Sequence, residues 1–501
     1  MYTFSSKLKT FSFILMVLGA IGIGIGFFNA PKDIAAVEKI LAAGSHETHN
    51  EGTEHKIQDD TELDNPQKHI TGTGESHTAT PTGDNADAVG ENTHTDSLAP
   101  TPAAAPVPEN YRTNEKPAHD KADAHKEHQE HLEHVLHQLQ NKPWAALYVA
   151  CIFIMLISLG ALAFYAIQQV AQAGWSVVLF RVMQGITSYL PVGSVIFFIL
   201  LLLSAFHVNH LFVWMDHDLL DPANPKFDKL IAGKSGYLNE YFWLIRAAIF
   251  LIGWNLYQYY SRKNCLAQDE ANDNNFYKKN FKMSALFLVF FIVTESIMSW
   301  DWIMSVDPHW FSTLFGWYVF ASFFVSGITT IALVTLYLKS RGYLEYVNTS
   351  HIHDLAKFMF GISIFWTYLW FSQFMLIWYS NIPEEVTYFV TRIENYNLPF
   401  FGMVVMNFLF PVLILINTDF KRLTWIIVMA GIVILLGHYI DFYNMIMPAT
   451  VGDQWFIGIS EISSLLFFIG LFIFVVFTAL AKSPLLAKRN PFIEESKHFH
   501  Y

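Results

Sequence analysis

Side chains able to hold or pass a proton gather at a few places in this chain. Glu295, Asp301, Asp307 and His309 lie within one stretch, Thr294–Phe320, which reads TESIMSWDWIMSVDPHWFSTLFGWYVF. His438 and Asp441 stand about one helical turn apart, so a helix puts them on one face. Arg246 interrupts an otherwise apolar run, and His207 and His210 close another, on one face of its outer end. Ionisable groups at membrane depth are expensive, and they face a protein interior or a wet cavity, where they pair or relay protons. Trp300, Trp302, Trp310 and Trp317 surround the acids of the first stretch, and tryptophan collects where hydrocarbon meets headgroups. The stretch reads as the outer end of a transmembrane hairpin with its acids near an interface.

Three readings fit these residues. In the first the set is structural: Arg246 pairs with an acid and the others hydrogen-bond between helices. In the second Glu295, Asp301, His438 and Asp441 form a proton path, with Arg246 and His207 as further candidates. In the third His207 and His438 oppose each other across a haem or quinone pocket. Gln373, set among Trp366, Tyr368, Trp370, Phe371, Phe374, Trp378 and Tyr379, reads as helix packing, and Pro411 and Pro448 as kinks or helix ends. The two cysteines, Cys151 in an apolar run and Cys265 in a polar loop, form no CxxC or CxxCH. The chain therefore brings no Fe–S cluster and no c-type haem of its own, no metal site is read from it, and it has no phosphate-binding or nucleophile-elbow motif.

The elements that must position these groups are helices in a bilayer. Of the 501 residues 53% are hydrophobic and only 15% charged, with a mean hydropathy of +0.30, where a soluble chain would carry roughly 25% charged residues. The net charge of −12 comes without a dense basic patch and gives no nucleic-acid signal. Apolar runs near 11–30, 144–168, 189–211, 239–260, 282–304, 312–338, 354–379, 396–417, 423–447 and 459–481 make about ten spans. The first run also resembles a secretory signal, but its length and the lack of a small-x-small cleavage site favour a retained helix. Pro31–Lys142 is rich in His, Thr, Glu, Asp, Ala and Pro and reads as a weakly ordered hydrophilic segment, with Ala99–Pro108 as a spacer. His125, His128, His131, His134 and His137 recur at spacing three, which drifts about 60° per step around a helix. They read as a solvated surface helix rather than a metal site. Lys and Arg cluster in alternate short loops, which puts both termini in the cytoplasm and the His-rich segment outside.

The opening stretch also carries a family likeness. Ser299, Asp301, Met304, Ser305, Pro308, Trp310, Ser312, Thr313, Phe315 and Tyr318 follow a pattern of the NrfD-like (polysulfide-reductase-type) membrane subunits, which this chain resembles. A second block has Trp214, His217, Asp221, Lys234, Gly236, Tyr237, Leu238, Asn239 and Arg246. It is similar to the second large NrfD-like subunit of bacterial alternative complex III, the ActF type. The likeness covers about Trp144 to the C-terminus.

The resemblance implies an all-α polytopic membrane protein with two four-helix bundles and flanking N- and C-terminal helices. The divisions would be 1–30, 31–142, 143–310, 311–447 and 448–501. It implies a subunit of a quinol:cytochrome c oxidoreductase that binds no cofactor itself and is not catalytic alone. Its partners would be a second NrfD-like, quinol-binding subunit, an Fe–S subunit, multihaem and monohaem cytochromes c and a terminal oxidase. The acid of the motif falls on Asp301. The expected function is scaffolding with a proton-conducting route in a bacterial cytoplasmic membrane. The alternatives are a stand-alone secondary transporter and a purely structural subunit.

Overall fold

The computed structural model describes residues 2–48 and 119–500, with the side chains of 42–127 and 130 left aside. The spacer Ala99–Pro108 and most of the His-rich segment lie outside the described residues. The chain is an all-α, multi-pass membrane protein. The compact unit runs up to Val37 and resumes at His131; Glu38–Glu130 forms a second unit. Among the described residues, nine helical stretches are long and apolar enough to cross a bilayer.

In chain order the helices are α1 (Ser6–Asn29), α2 (Ile34–Thr48), α3 (His119–Val170), α4 (Phe180–Thr187), α5 (Leu190–Ala205) and the short α6 (Lys229–Lys234). There follow α7 (Glu240–Gln268), α8 (Asn275–Trp302), α9 (Phe315–Ser340), α10 (Thr349–Ser380) and α11 (Pro383–Glu394). Then come α12 (Asn397–Val404), α13 (Phe410–Leu415), α14 (Thr424–Val451), α15 (Ile459–Ala481) and α16 (Ile493–Lys497). A tenth crossing comes from α7, whose apolarity is diluted by Arg246, Asn255 and Gln258. Its 29 residues reach about 43 Å at 1.5 Å per residue. Tyr241, Ile245, Ile249, Ile252, Leu256 and Tyr259 form an exposed stripe along it at helical spacing, as a lipid face requires.

The most enclosed spans are α3 and α9. They cross where both lack side chains: a Cβ on Gly327 would come within 2.7 Å of the Ala161 amide nitrogen, and one on Gly160 within 2.5 Å of the Phe323 carbonyl oxygen. Small residues allow this backbone approach where no hydrophobic effect drives helices together. α5, α7 and α8 pack together beside this pair, α10 and α14 pack on α9, and α12 and α13 pack on α14. α1 lies along α15 by the same device: a Cβ on Gly19 would meet the backbone of Phe467 at 2.6 Å. The first apolar run is thus a packed helix of this structure.

Several boundaries differ from those read off the sequence. The composition change near Lys142 does not end a helix, since α3 runs unbroken through Pro143 for 52 residues. His128, His131, His134 and His137 are exposed on it, in keeping with a solvated face; the side chain of His125 lies outside the described ones. Cys265 lies inside α7, not in a loop. His207 and His210 do not share a helical face, because α5 stops at Ala205 and His207 turns the chain with φ +56. Pro411, which has no amide hydrogen to donate, follows a π-helical turn, Val405–Leu409, between α12 and α13. Pro448 is accommodated inside α14.

Candidate functional site

α8 ends where its last turn meets α7. Asp301 is fully buried and takes a bidentate grip from Arg246: Nε donates to Oδ2 at 2.6 Å and Nη2 to Oδ1 at 3.0 Å. Arg246 also donates to the Tyr237 carbonyl at 3.1 Å and lies over the rings of Tyr237 and Phe242. The backbone is pinned as firmly. Trp243 and Ser305 donate to the Asp301 carbonyl at 2.8 and 2.6 Å, and Tyr148 of α3 donates to that of Trp302 at 2.8 Å. The expected pairing of Arg246 with an acid is present, and it closes Asp301 on every side. Outside the spans, Tyr237 covers the pair and lines a groove of about 500 Å³ with Lys234, Trp300, Asp307, Pro308 and Trp310. Burial pushes the Lys234 ammonium below its ordinary value, against the pull of Asp307 and Asp228. Burial, then the Asp301 charge, pushes the Tyr237 phenol up.

The second cluster lies deeper. Asp441 stands ten residues before the end of α14 at Val451, about 15 Å down at 1.5 Å per residue. His438 falls near the middle of the helix, since α14 runs beyond the apolar segment ending at Met447. Both are fully buried. The hydroxyl of Tyr318 donates to Asp441 Oδ1. Ser322 Oγ and the Trp366 indole each donate to Oδ2 at 2.8 Å. His438 Nδ1 lies 2.9 Å from Ser322 Oγ and 3.6 Å from Asp441 Oδ2, while its Nε2 has no hydrogen-bond partner among the described residues. No lysine or arginine forms an ion pair with Asp441 among the described residues.

The motif stretch reaches this cluster too. Tyr318, one turn into α9, faces a cavity that it shares with Gln373, Tyr388, Arg392 and Asn444. Trp310 stacks on Tyr388 at 4.0 Å, and the guanidinium of Arg392 lies over the Tyr388 ring. Arg392 is buried and held by carbonyls of Tyr388, Asn444 and Met445 at 2.7, 2.9 and 3.4 Å. It lies on α11, which folds back over the cavity. Trp366, read as packing, is a donor to the acid. The aromatics beyond it do pack: Trp370 stacks on Phe374 at 6.0 Å.

The other candidates stand apart. Glu295 is buried on α8, with Oε2 accepting from Ser296 at 3.1 Å and Oε1 accepting nothing. His207 does not face His438: it is surface-exposed and its Nε2 lies 3.2 Å from Glu240 Oε1. A haem ligated by these two histidines is therefore ruled out by their placement. Glu461 is not among the sequence candidates. It is buried at the start of α15, with one oxygen capping the helix through the Gly458 amide at 2.8 Å and the other unpartnered. Neither a comparison with protein-family models nor one with curated proteins returns a match.

Proposed function

We propose that this chain is a non-haem, multi-pass subunit of a quinol:cytochrome c oxidoreductase of the alternative complex III type, in a bacterial cytoplasmic membrane. In this reading both termini are cytoplasmic and the His-rich segment is periplasmic. The chain scaffolds the complex and carries a proton route, while quinol, Fe–S clusters and haem c are held by partner subunits. The partners are a second NrfD-like subunit, an Fe–S protein, cytochromes c and a terminal oxidase. The family part rests on the motif running from Ser299 to Tyr318.

The proton-handling part rests on one observation, the burial of Asp441 among neutral donors and a histidine, without a cation. A carboxylate so placed can take up a proton without leaving a buried cation unpaired. Tyr318 links it to the small cavity at Arg392, and Glu295 supplies a second buried oxygen with no donor among the described residues.

The test is made on the complex purified in mild detergent and reconstituted in vesicles. Haem c absorbance should copurify with the chain, and Asp441→Asn should lower protons moved per electron while quinol oxidation persists. An unchanged ratio in both Asp441→Asn and Glu295→Gln would remove the proton route and leave a purely structural subunit. A chain that purifies alone and moves a solute by itself would be a secondary transporter instead.

A further inference from the structure

The loop joining α5 to α7 starts with a residue in an unfavourable conformation. His207 has φ +56, in the left-handed region where a Cβ is costly and glycine is the usual occupant. The turn swings its ring toward the first residue of α7, so that Nε2 lies 3.2 Å from Glu240 Oε1. That carboxylate oxygen is enclosed yet accepts no hydrogen bond among the described residues. The ring of His217, from the middle of the loop, lies 5.5 Å from that of His207. One ligand atom from each of the three residues falls within 4.8 Å of the other two.

We propose that His207, His217 and Glu240 form a binding site for a divalent cation of the zinc class. Two imidazoles and a carboxylate are a zinc donor set, with bonds of about 2.0–2.2 Å in a tetrahedron. The edge of such a tetrahedron is about 3.3 Å, and the His207–Glu240 separation matches it. The other two separations are within 4.8 Å, and His217 is exposed. Three protein ligands leave a fourth position for water. Bound there, the ion would tie the end of α5, the loop and the start of α7 together. That gives a reason for a histidine in the strained position and for an acceptor without a donor. The site stands on its own geometry and does not depend on the functional reading above.

The sequence signal is weak, since the ligands are separated by ten and by twenty-three residues and none sits in a short motif. His137 and His210, with rings 6.2 Å apart, are the competing histidines nearby, and His137 serves as the control.

The experiment titrates the purified full-length chain with Zn²⁺ against a chromophoric chelator. The wild type and His137→Ala should each hold one equivalent at least tenfold tighter than the remaining histidines do. His217→Ala and Glu240→Gln should each lose that equivalent. Co²⁺ should give the visible bands of a four-coordinate site in the first pair and not in the second. His207→Gly, which suits the left-handed turn, provides a ligand deletion that keeps the backbone. Its melting temperature in chelator should equal or exceed that of the wild type, and added Zn²⁺ should raise the wild-type value alone. Unchanged Zn²⁺ binding in His217→Ala and Glu240→Gln, or loss of the tight equivalent in His137→Ala, would overturn the proposal.

Discussion

Asp301 and Asp441 are both fully buried aspartates, served by the same stretch of chain, yet one is held by a cation and the other by neutral donors. Arg246 gives Asp301 two parallel charge-assisted bonds, and a proton on Asp301 would leave a buried guanidinium without a counter-charge. Around Asp441 the donors are two hydroxyls and an indole. A hydroxyl rotates, so Tyr318 and Ser322 can donate to a carboxylate or accept from a protonated acid. The arginine-paired acid has a fixed counter-charge, and the hydroxyl-lined acid has donors that can turn. The difference separates a fixed clamp from an adaptable one, in residues that composition and burial alone would rank equally.

Breaking the clamp should have the largest effect. Asp301→Asn or Arg246→Gln leaves the partner buried and uncompensated, and should cost about 3–5 kcal/mol, read as a fall in the melting temperature of the detergent-solubilised chain. The double substitution should cost less than the sum of the two. Strict additivity would mean that the pair is not coupled and would undo the contrast. Tyr318→Phe comes next and sharpens it. A bond to an ionised Asp441 is worth about 1.5–3 kcal/mol, and one to a neutral acid about 0.5–1.5 kcal/mol, so the loss measured reports which form is present. Asp441→Asn should cost about 1 kcal/mol, because its amide keeps one acceptor for Ser322 and Trp366 while Tyr318 turns to accept. A loss as large as that of Asp301→Asn would mean that Asp441 is locked after all.

Much of this contrast was legible before the structure. The one-turn spacing of His438 and Asp441 placed them on one face, and a lone arginine in an apolar run called for an acid. The helix count followed from the apolar runs. The neighbours of Asp441 were not legible. Tyr318 and Ser322 come from α9 and Trp366 from α10, and no local spacing encodes which side chains three helices turn toward one another. Nor is the place of Arg392 legible, because the fold-back of α11 depends on tertiary packing of Trp310 on Tyr388. The α5 terminus was missed for a local reason: Ala205–Phe206–His207 carries neither glycine nor proline, so nothing announces a left-handed turn. A helix over the histidines is legible, but its continuity with the span from Trp144 is not, because a change in polarity reads as a change in backbone. Residues 119–140 are instead rich in good helix formers, and a helix can run from water into lipid without a break.

The smallest effect belongs to a third acid, which sets the far end of the comparison. Asp228 lies in the loop before α6, caps that helix through the amides of Leu230 and Ile231 at 2.8 and 3.1 Å, and meets His309 Nε2 at 2.6 Å. The His309 hydrogen bond, then the cap, hold its carboxyl below the ordinary value of 3.8. A depressed folded-state value means that the stabilisation is complete above that pH and is lost as the pH falls through the folded value. Asp228→Asn keeps an acceptor for the cap and removes the charge, so it should cost under about 1 kcal/mol at neutral pH, because solvent screens an exposed pair. Melting curves of wild type and variant should converge as the pH falls below about 3.9. A gap that persists in acid would assign the effect to the cap rather than to charge. A gap as large as that of Asp301→Asn would mean that burial is not what distinguishes the clamp.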